Sequence, residues 1–198
     1  DIGPGDEVIF SSYLYIATAL AVTANGARPV FVDSDEYYNI DVNLIERAIT
    51  SKTRCILPVH LYGQACDMTS IMEIAHRHNL FVVEDCAQSH GAAWRGQLTG
   101  TFGDIGCFSF FPTKNIGAFG DAGAIVTHNA EIAAKVKMLR NYGSKEKYYN
   151  EIPGVNSRLD ELQAALLRVR LQHADVLLRE RAHIAEKYLA GIHHPKFF

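Results

Sequence analysis

An α/β fold built on a mostly parallel sheet is what this sequence predicts, and three observations predict it. Short apolar runs ending in polar turns recur at residues 6–10, 29–32, 55–59 and 80–83. Segments with apolar residues at helical spacing lie between them. The alternation repeats every few dozen residues, as right-handed crossovers between parallel strands require.

The elements follow in order. Asp6 to Phe10 reads as a strand after a Pro-Gly turn. Ile16 to Asn25 is rich in Ala and Leu, as a helix would be, and Asn25-Gly26 stops it. Pro29 to Val32 is a second strand, ending in Asp33. Asp41 caps a helix whose stripe is Val42, Ile45, Ala48 and Ile49. Cys55 to Val59 is a third strand, and Thr69 caps a helix through Ile71, Ile74 and Ala75. Leu80 opens a fourth strand that stops at two carboxylates, Glu84 and Asp85, and Ile105 to Phe111 is a similar run. Ala124 to Thr127 is a short strand, and Ala130 to Arg140 an amphipathic helix. Residues 142–156 are polar, hold two glycines and a proline, and read as a mobile loop. Ser157 then caps a long helix through Leu159, Leu166, Leu177 and Tyr188, with no glycine or proline before Gly191.

Composition narrows the function classes. The chain has 198 residues, 48% hydrophobic and 21% charged, with a net charge of −3. Interspersed charge of that size suits neither nucleic acid nor an anionic membrane surface. No apolar run approaches the roughly 20 residues of a membrane span. Four cysteines form no Cys-x-x-Cys pair, which suggests buried thiols in a reducing, cytoplasmic setting. Nine histidines show no metal-ligand spacing, so no metal site is expected. No Gly-x-Gly-x-x-Gly follows any strand, which argues against a dinucleotide site.

The stretch from Leu80 to Thr127 carries the chemistry. Asp85 stands at the end of a strand, where open α/β sheets place their ligands. Lys114 sits in a turn after Ile105–Phe111, followed by Gly117, Gly120 and Gly123. A lysine held among aromatics and backbone amides gives up its proton more readily than an exposed one, as a Schiff-base lysine must. On their own, a turn aspartate and a loop lysine are also ordinary features.

Their spacing separates the readings. Asp85-x-x-Gln88, followed by Ser109-Phe-Phe-Pro-Thr-Lys114-Asn, resembles the cofactor pocket of the DegT–DnrJ–StrS nucleotide-sugar aminotransferases. The resemblance runs from Gly5 to about Leu189. It implies a fold-type-I architecture, an α/β/α sandwich, with pyridoxal 5'-phosphate as cofactor. Residues 1–158 would be a partial large domain, and 159–198 a long inter-domain helix with a short tail. Family members also carry a segment before Gly3 and a smaller domain after the helix, so a central fragment is expected.

The resemblance assigns roles residue by residue. Lys114 would carry the cofactor as a Schiff base, Asp85 would hold the ring nitrogen protonated, and Gln88 would bond the ring hydroxyl. Tyr15 would stack on the ring, with core packing as its alternative; Leu14 stands where the family pattern has Thr. Ser109 and Asn156 would bond the phosphate, Asn156 reaching another subunit's cofactor in a homodimer; helix capping is the plain alternative for Asn156. The implied reaction moves an amino group from an amino acid, glutamate, to a keto nucleotide-sugar. The run Asn156-Ser-Arg-Leu-Asp-Glu-Leu-Gln-Ala-Ala resembles enzymes that make 3-amino-3,6-dideoxyhexoses. The rival expectation is a folded, self-associating remnant that turns nothing over.

Overall fold

The computed structural model describes residues 2–193. The expected tail past His193 lies outside them. In chain order the elements are β1 (Glu7–Ser11), α1 (Ile16–Ala24), β2 (Arg28–Val32), α2 (Val42–Ala48), β3 (Thr53–Ile56), α3 (Met68–His78) and β4 (Phe81–Asp85). A small hairpin, β5 (Ala93–Trp94) and β6 (Gln97–Leu98), precedes β7 (Ile105–Ser109), β8 (Gly123–Val126) and α4 (Ala130–Leu139). A second hairpin, β9 (Ser144–Glu146) and β10 (Tyr149–Asn150), leads to α5 (Glu161–Gln172) and α6 (Ala174–Gly191).

The sheet has six strands in the order β2-β1-β3-β4-β7-β8. Every neighbouring pair is parallel except β7 with β8. From β1 the chain steps to β2 on one side and then to β3 on the other. That reversal opens a crevice at the carboxyl ends of β1 and β3.

Strand pleat divides the core. Val8, Phe10 and Cys55 face α1 with Ala19 and Val22, whereas Ile9, Ile56 and Val82 face α2 and α3 with Ile45, Met68 and Ile71. Successive side chains point to opposite faces, so each central strand feeds both layers. Strands buried on both faces read as unbroken apolar runs, which is why they stood out in the sequence. Truncating a residue such as Ile45, which is wholly buried, costs about 2–5 kcal/mol. All four cysteines are free. Burial pushes the thiols of Cys55 and Cys86 up to about 12 and that of Cys107 to about 11, which leaves them protonated and unreactive. Among the described residues no helix is long and apolar enough to cross a membrane.

Four local expectations change. Asp67, not Thr69, caps α3: its carboxylate accepts from the Ser70 amide, while the Thr69 hydroxyl accepts from Trp94 Nε1. Ser157 caps no helix among the described residues: the N-cap position falls at Asp160, while the Ser157 amide donates to the Arg140 carbonyl and Asn156 pairs with Asn141 as a β-bridge. The helix therefore begins at Glu161, after Asp160. The loop expected at 142–156 contains the β9–β10 hairpin, tied down by Tyr142 N–H to the Val155 carbonyl and Val155 N–H to that of Leu139. The long helix is broken at His173, whose φ of −106° and ψ of 8° are not helical. No breaker residue marks the spot; Leu167 of α5 is buried with Ile116 and Ala118, while Leu178 of α6 lies against Gly91. A bend lets the two helices rest on different loops.

Candidate active site

The pleat of β4 decides the fate of its two terminal carboxylates. Val82 and Glu84 point to the α2/α3 side, and Val83 and Asp85 to the side of α1. Glu84 is fully buried and accepts from His60 Nε2 at 3.0 Å and from the amides of Gly100, Phe102 and Gly103 at 2.7–2.8 Å. Burial pushes its carboxyl up, but His60 and the Gly103 and Gly100 amides more than offset this and hold it below the usual range. His60, Glu84 and Cys86 bring one potential ligand atom each within 4.8 Å of one another. The hydrogen bonds already occupy His60 and Glu84, since His60 Nδ1 also accepts from the Cys66 amide. The cluster is a hydrogen-bonded knot in the core.

Asp85 is half-buried, and both its oxygens are engaged on the protein side. Oδ2 accepts from the Thr18 hydroxyl at 2.6 Å and Oδ1 from the Ala87 amide at 3.0 Å. A carboxylate has about four acceptor positions, so each oxygen keeps one lone pair for a further donor. Gln88 lies one turn on, and its Oε1 accepts from the Tyr62 amide at 2.7 Å. That bond orients the amide and leaves Nε2 as its outward donor. Tyr62 achieves it with a φ of +56°, a left-handed conformation that costs a bulky residue about 1–3 kcal/mol.

The register Asp85↔Cys107 places Ser109 two residues further along the neighbouring parallel strand. Its Oγ accepts from the Phe111 amide at 3.3 Å, which leaves the hydroxyl proton free to donate. Lys114 is half-buried, and its ammonium has no hydrogen-bond or ion-pair partner among the described residues. The loop that carries it is closed by Lys114 N–H to the Phe111 carbonyl and Ala118 N–H to that of Phe110. Gly117 is needed there, because a Cβ would sit 2.4 Å from the Pro112 carbonyl oxygen. From outside, α5 grips the loop: Gln163 Oε1 accepts from the Phe119 amide at 2.9 Å, and Arg170 Nη1 donates to the Gly117 carbonyl at 3.0 Å.

Tyr15 precedes α1 at the carboxyl end of β1 and is 71% exposed, so it is not a core residue. Its carbonyl accepts from the Thr18 amide, which links it to the residue that touches Asp85. Five of the six sequence candidates, Tyr15, Asp85, Gln88, Ser109 and Lys114, thus follow the carboxyl ends of β1, β4 and β7. Asn156 does not join them. It is exposed, accepts from Arg158 Nε and lines a separate groove with Leu159 and Glu161.

Sequence reasoning missed the residues that hold these five in place. Thr18 and Asp85 are 67 residues apart, and Gln163 and Phe119 are 44 apart. No local pattern announces either contact. His90 was also missed: it is 5% exposed beside Phe108 and Phe110, and neither ring nitrogen completes a hydrogen bond among the described residues. Burial lowers its pKa, the Ser109 backbone opposes that, and the charge of Lys114 adds to the lowering. Another groove, bounded by Met72, Phe81, Phe102 and Asp104, lies at the amino ends of β4 and β7, remote from these residues.

Comparison with known proteins bears on this geometry. A dTDP-3-amino-3,6-dideoxy-alpha-D-galactopyranose transaminase from Aneurinibacillus thermoaerophilus is 56% identical over 196 residues, covering 98% of this chain and 54% of its own. The crystal structure of Streptomyces venezuelae DesV in complex with a ketimine intermediate superposes with a TM-score of 0.93 at 54% identity, covering 96% of this chain and 52% of that one. The PLP form of Spr1654 from Streptococcus pneumoniae, named as a putative sugar aminotransferase, gives a TM-score of 0.89 at 29% identity, over 96% and 54% of the two chains. The chain spans about half the length of the relatives it matches. The architecture is that of the fold-type-I aminotransferases. With residues 1–196 matched by its sequence pattern, the chain belongs to the DegT/DnrJ/EryC1/StrS aminotransferase family.

Proposed function

We propose that this chain forms the cofactor-binding half of a pyridoxal-phosphate enzyme that transfers an amino group from glutamate to a keto nucleotide-sugar. The observation that carries the reading is the set of five side chains at the carboxyl edge of the sheet, each with an open polar atom or ring face. The residues fit the cofactor. Asp85 keeps lone pairs for a protonated ring nitrogen, Gln88 offers Nε2 to a ring hydroxyl, and Ser109 offers its hydroxyl proton to a phosphate oxygen. Tyr15 presents an exposed ring for stacking.

When bound, pyridoxal phosphate supplies a carbonyl carbon that condenses with amines and a ring that takes up the electron pair of a substrate carbanion. The chain's own residues do the rest. Lys114 Nζ would hold the cofactor and, when not bonded to it, would move the proton to and from the donor carbon. Asp85 holds a proton on the ring nitrogen, which a neutral side chain would do less well. Asn156 serves a second copy of the chain, a reading supported by its place in a groove lined by residues of the 156–161 segment and by none of the other five. The product is a 3-amino-3,6-dideoxyhexose on a nucleotide carrier, a reading supported by what the Aneurinibacillus relative is named for. Unpaired thiols suit action in a reducing compartment.

Absorbance tests the proposal. Purified protein mixed with pyridoxal phosphate should develop a visible band, and Lys114→Ala should abolish it. An unchanged band in the variant rejects Lys114 as the anchor. No band in either protein identifies a folded remnant that does not hold the cofactor.

A further inference from the structure

We infer that Thr18 is a positioning residue that fixes the Asp85 carboxylate in the orientation required to meet the cofactor ring. The inference rests on the pyridoxal-phosphate reading and goes beyond it, because nothing in the Asp-x-x-Gln or Lys114 motifs points to α1. Thr18 lies in the first turn of α1 and is 7% exposed, on the face that also buries Ala19 and Val22. A threonine on a helix has a local use for its hydroxyl, the carbonyl one turn back. Thr18 instead spends it on Asp85, across 67 residues, at 2.6 Å. That length is typical of a hydroxyl bonded to an ionised carboxylate, among the stronger hydrogen bonds in proteins.

The consequence is geometric. The Ala87 amide holds Oδ1 and Thr18 holds Oδ2, so the carboxylate cannot turn about its last bond without breaking one of them. Two held oxygens leave a fixed pair of outward lone pairs. A site that depends on sub-ångström placement of a carboxylate needs such support from residues that never touch the substrate. The β-branched side chain contributes as well, because its χ1 is stiff. The same helix begins beside Tyr15, so α1 ties the stacking ring to the carboxylate through three residues.

A simple fold contact between α1 and β4 would also explain the bond, and the test separates the two. Thr18→Val removes the hydroxyl at nearly equal volume, and Thr18→Ser restores it. Thr18→Val should weaken equilibrium binding of pyridoxal phosphate about tenfold, the size expected for one hydrogen bond to a charged group. Thr18→Ser should return most of the affinity. On an Asp85→Ala background, Thr18→Val should change nothing further, since its effect travels through that carboxylate. In protein without cofactor, the Ala87 amide should exchange faster in Thr18→Val, with the thermal midpoint held by Ala19 and Val22. Wild-type affinity in Thr18→Val, an equal loss on the Asp85→Ala background, or unchanged Ala87 protection overturns the inference alone. Failure of the unaltered chain to bind pyridoxal phosphate overturns the functional reading and the inference with it.

Discussion

Glu84 Oε2 lies 3.0 Å from His60 Nε2, and both side chains are wholly shielded from solvent. Because His60 Nδ1 accepts from the Cys66 amide, Nε2 carries the proton that is donated to Glu84. Three backbone amides complete the carboxylate's shell. A glutamine there would turn an NH2 group toward two donors. Glu84→Gln should therefore destabilise the protein by about 3–5 kcal/mol. Thermal unfolding would show it as a midpoint lower by roughly 6–20 °C.

The same pair sets a pH dependence. The folded carboxyl is held below its unfolded value, near 4.3. Its stabilisation is thus fully present above that value and is lost as pH falls through the folded one. The stability gap between the wild type and Glu84→Gln should be constant from pH 6 to 8 and narrow below about pH 4. Urea unfolding at several pH values measures it, and a gap that widens in acid would contradict the sign.

Glu84 and Asp85 also show what the sequence could and could not reveal. The apolar run before them marked β4, and its polar end marked a sheet edge where ligands bind. Which carboxylate faces the ligand depends on the pleat, and the residues alone do not state its phase. Strands buried on both sides read as continuous apolar runs, so five parallel strands were legible. Contacts made by Thr18, Tyr62, Gln163 and Arg170 were not, because each joins segments far apart in the chain. The bend at His173 was hidden for a related reason. Packing on two loops overrides a helical period that contains no breaker.

Asp85→Asn separates cofactor retention from proton chemistry. The amide keeps the shape of the side chain and can still accept from Thr18 or Ala87. It cannot hold the ring nitrogen protonated as a carboxylate does. In a chain extended to the length of its relatives, exchange of the glutamate α-proton should fall by about 10²–10⁴-fold. Binding of pyridoxal phosphate should change far less. Near-normal exchange would remove Asp85 from the role proposed for it.

The grip of α5 on the lysine loop makes another prediction. Gln163, Leu167 and Arg170 recur at i, i+4 and i+7, one face of a helix, and all three meet residues 116–119. Arg170→Met keeps an apolar stem but leaves the Gly117 carbonyl without its donor, at a cost of about 1–3 kcal/mol. Amides 116–119 should exchange faster, and borohydride trapping of the cofactor on Lys114 should slow. Faster exchange with unchanged trapping would mean that the loop tolerates the loss and that α5 does not set the lysine's position.

Assembly is the last prediction. Asn156 is expected to bond a phosphate, yet within its own chain it lines a groove that neither Ser109 nor Lys114 lines. A symmetric dimer resolves the separation if Asn156 of each copy meets the site of the other. The surface of α5 and α6 gives such a contact material to bury. Leu162 is 81% exposed, Val169 56%, Ile184 52% and Leu189 70%. Exposed apolar area of this kind would favour association with a partner. Sedimentation at micromolar concentration should show a dimer or a larger species. Asn156→Ala should leave that assembly intact, because one exposed amide adds little to an apolar interface, while weakening pyridoxal-phosphate binding about tenfold. A single monomeric species that nevertheless binds the cofactor would show that each chain completes its own site, and Asn156 would lose its role.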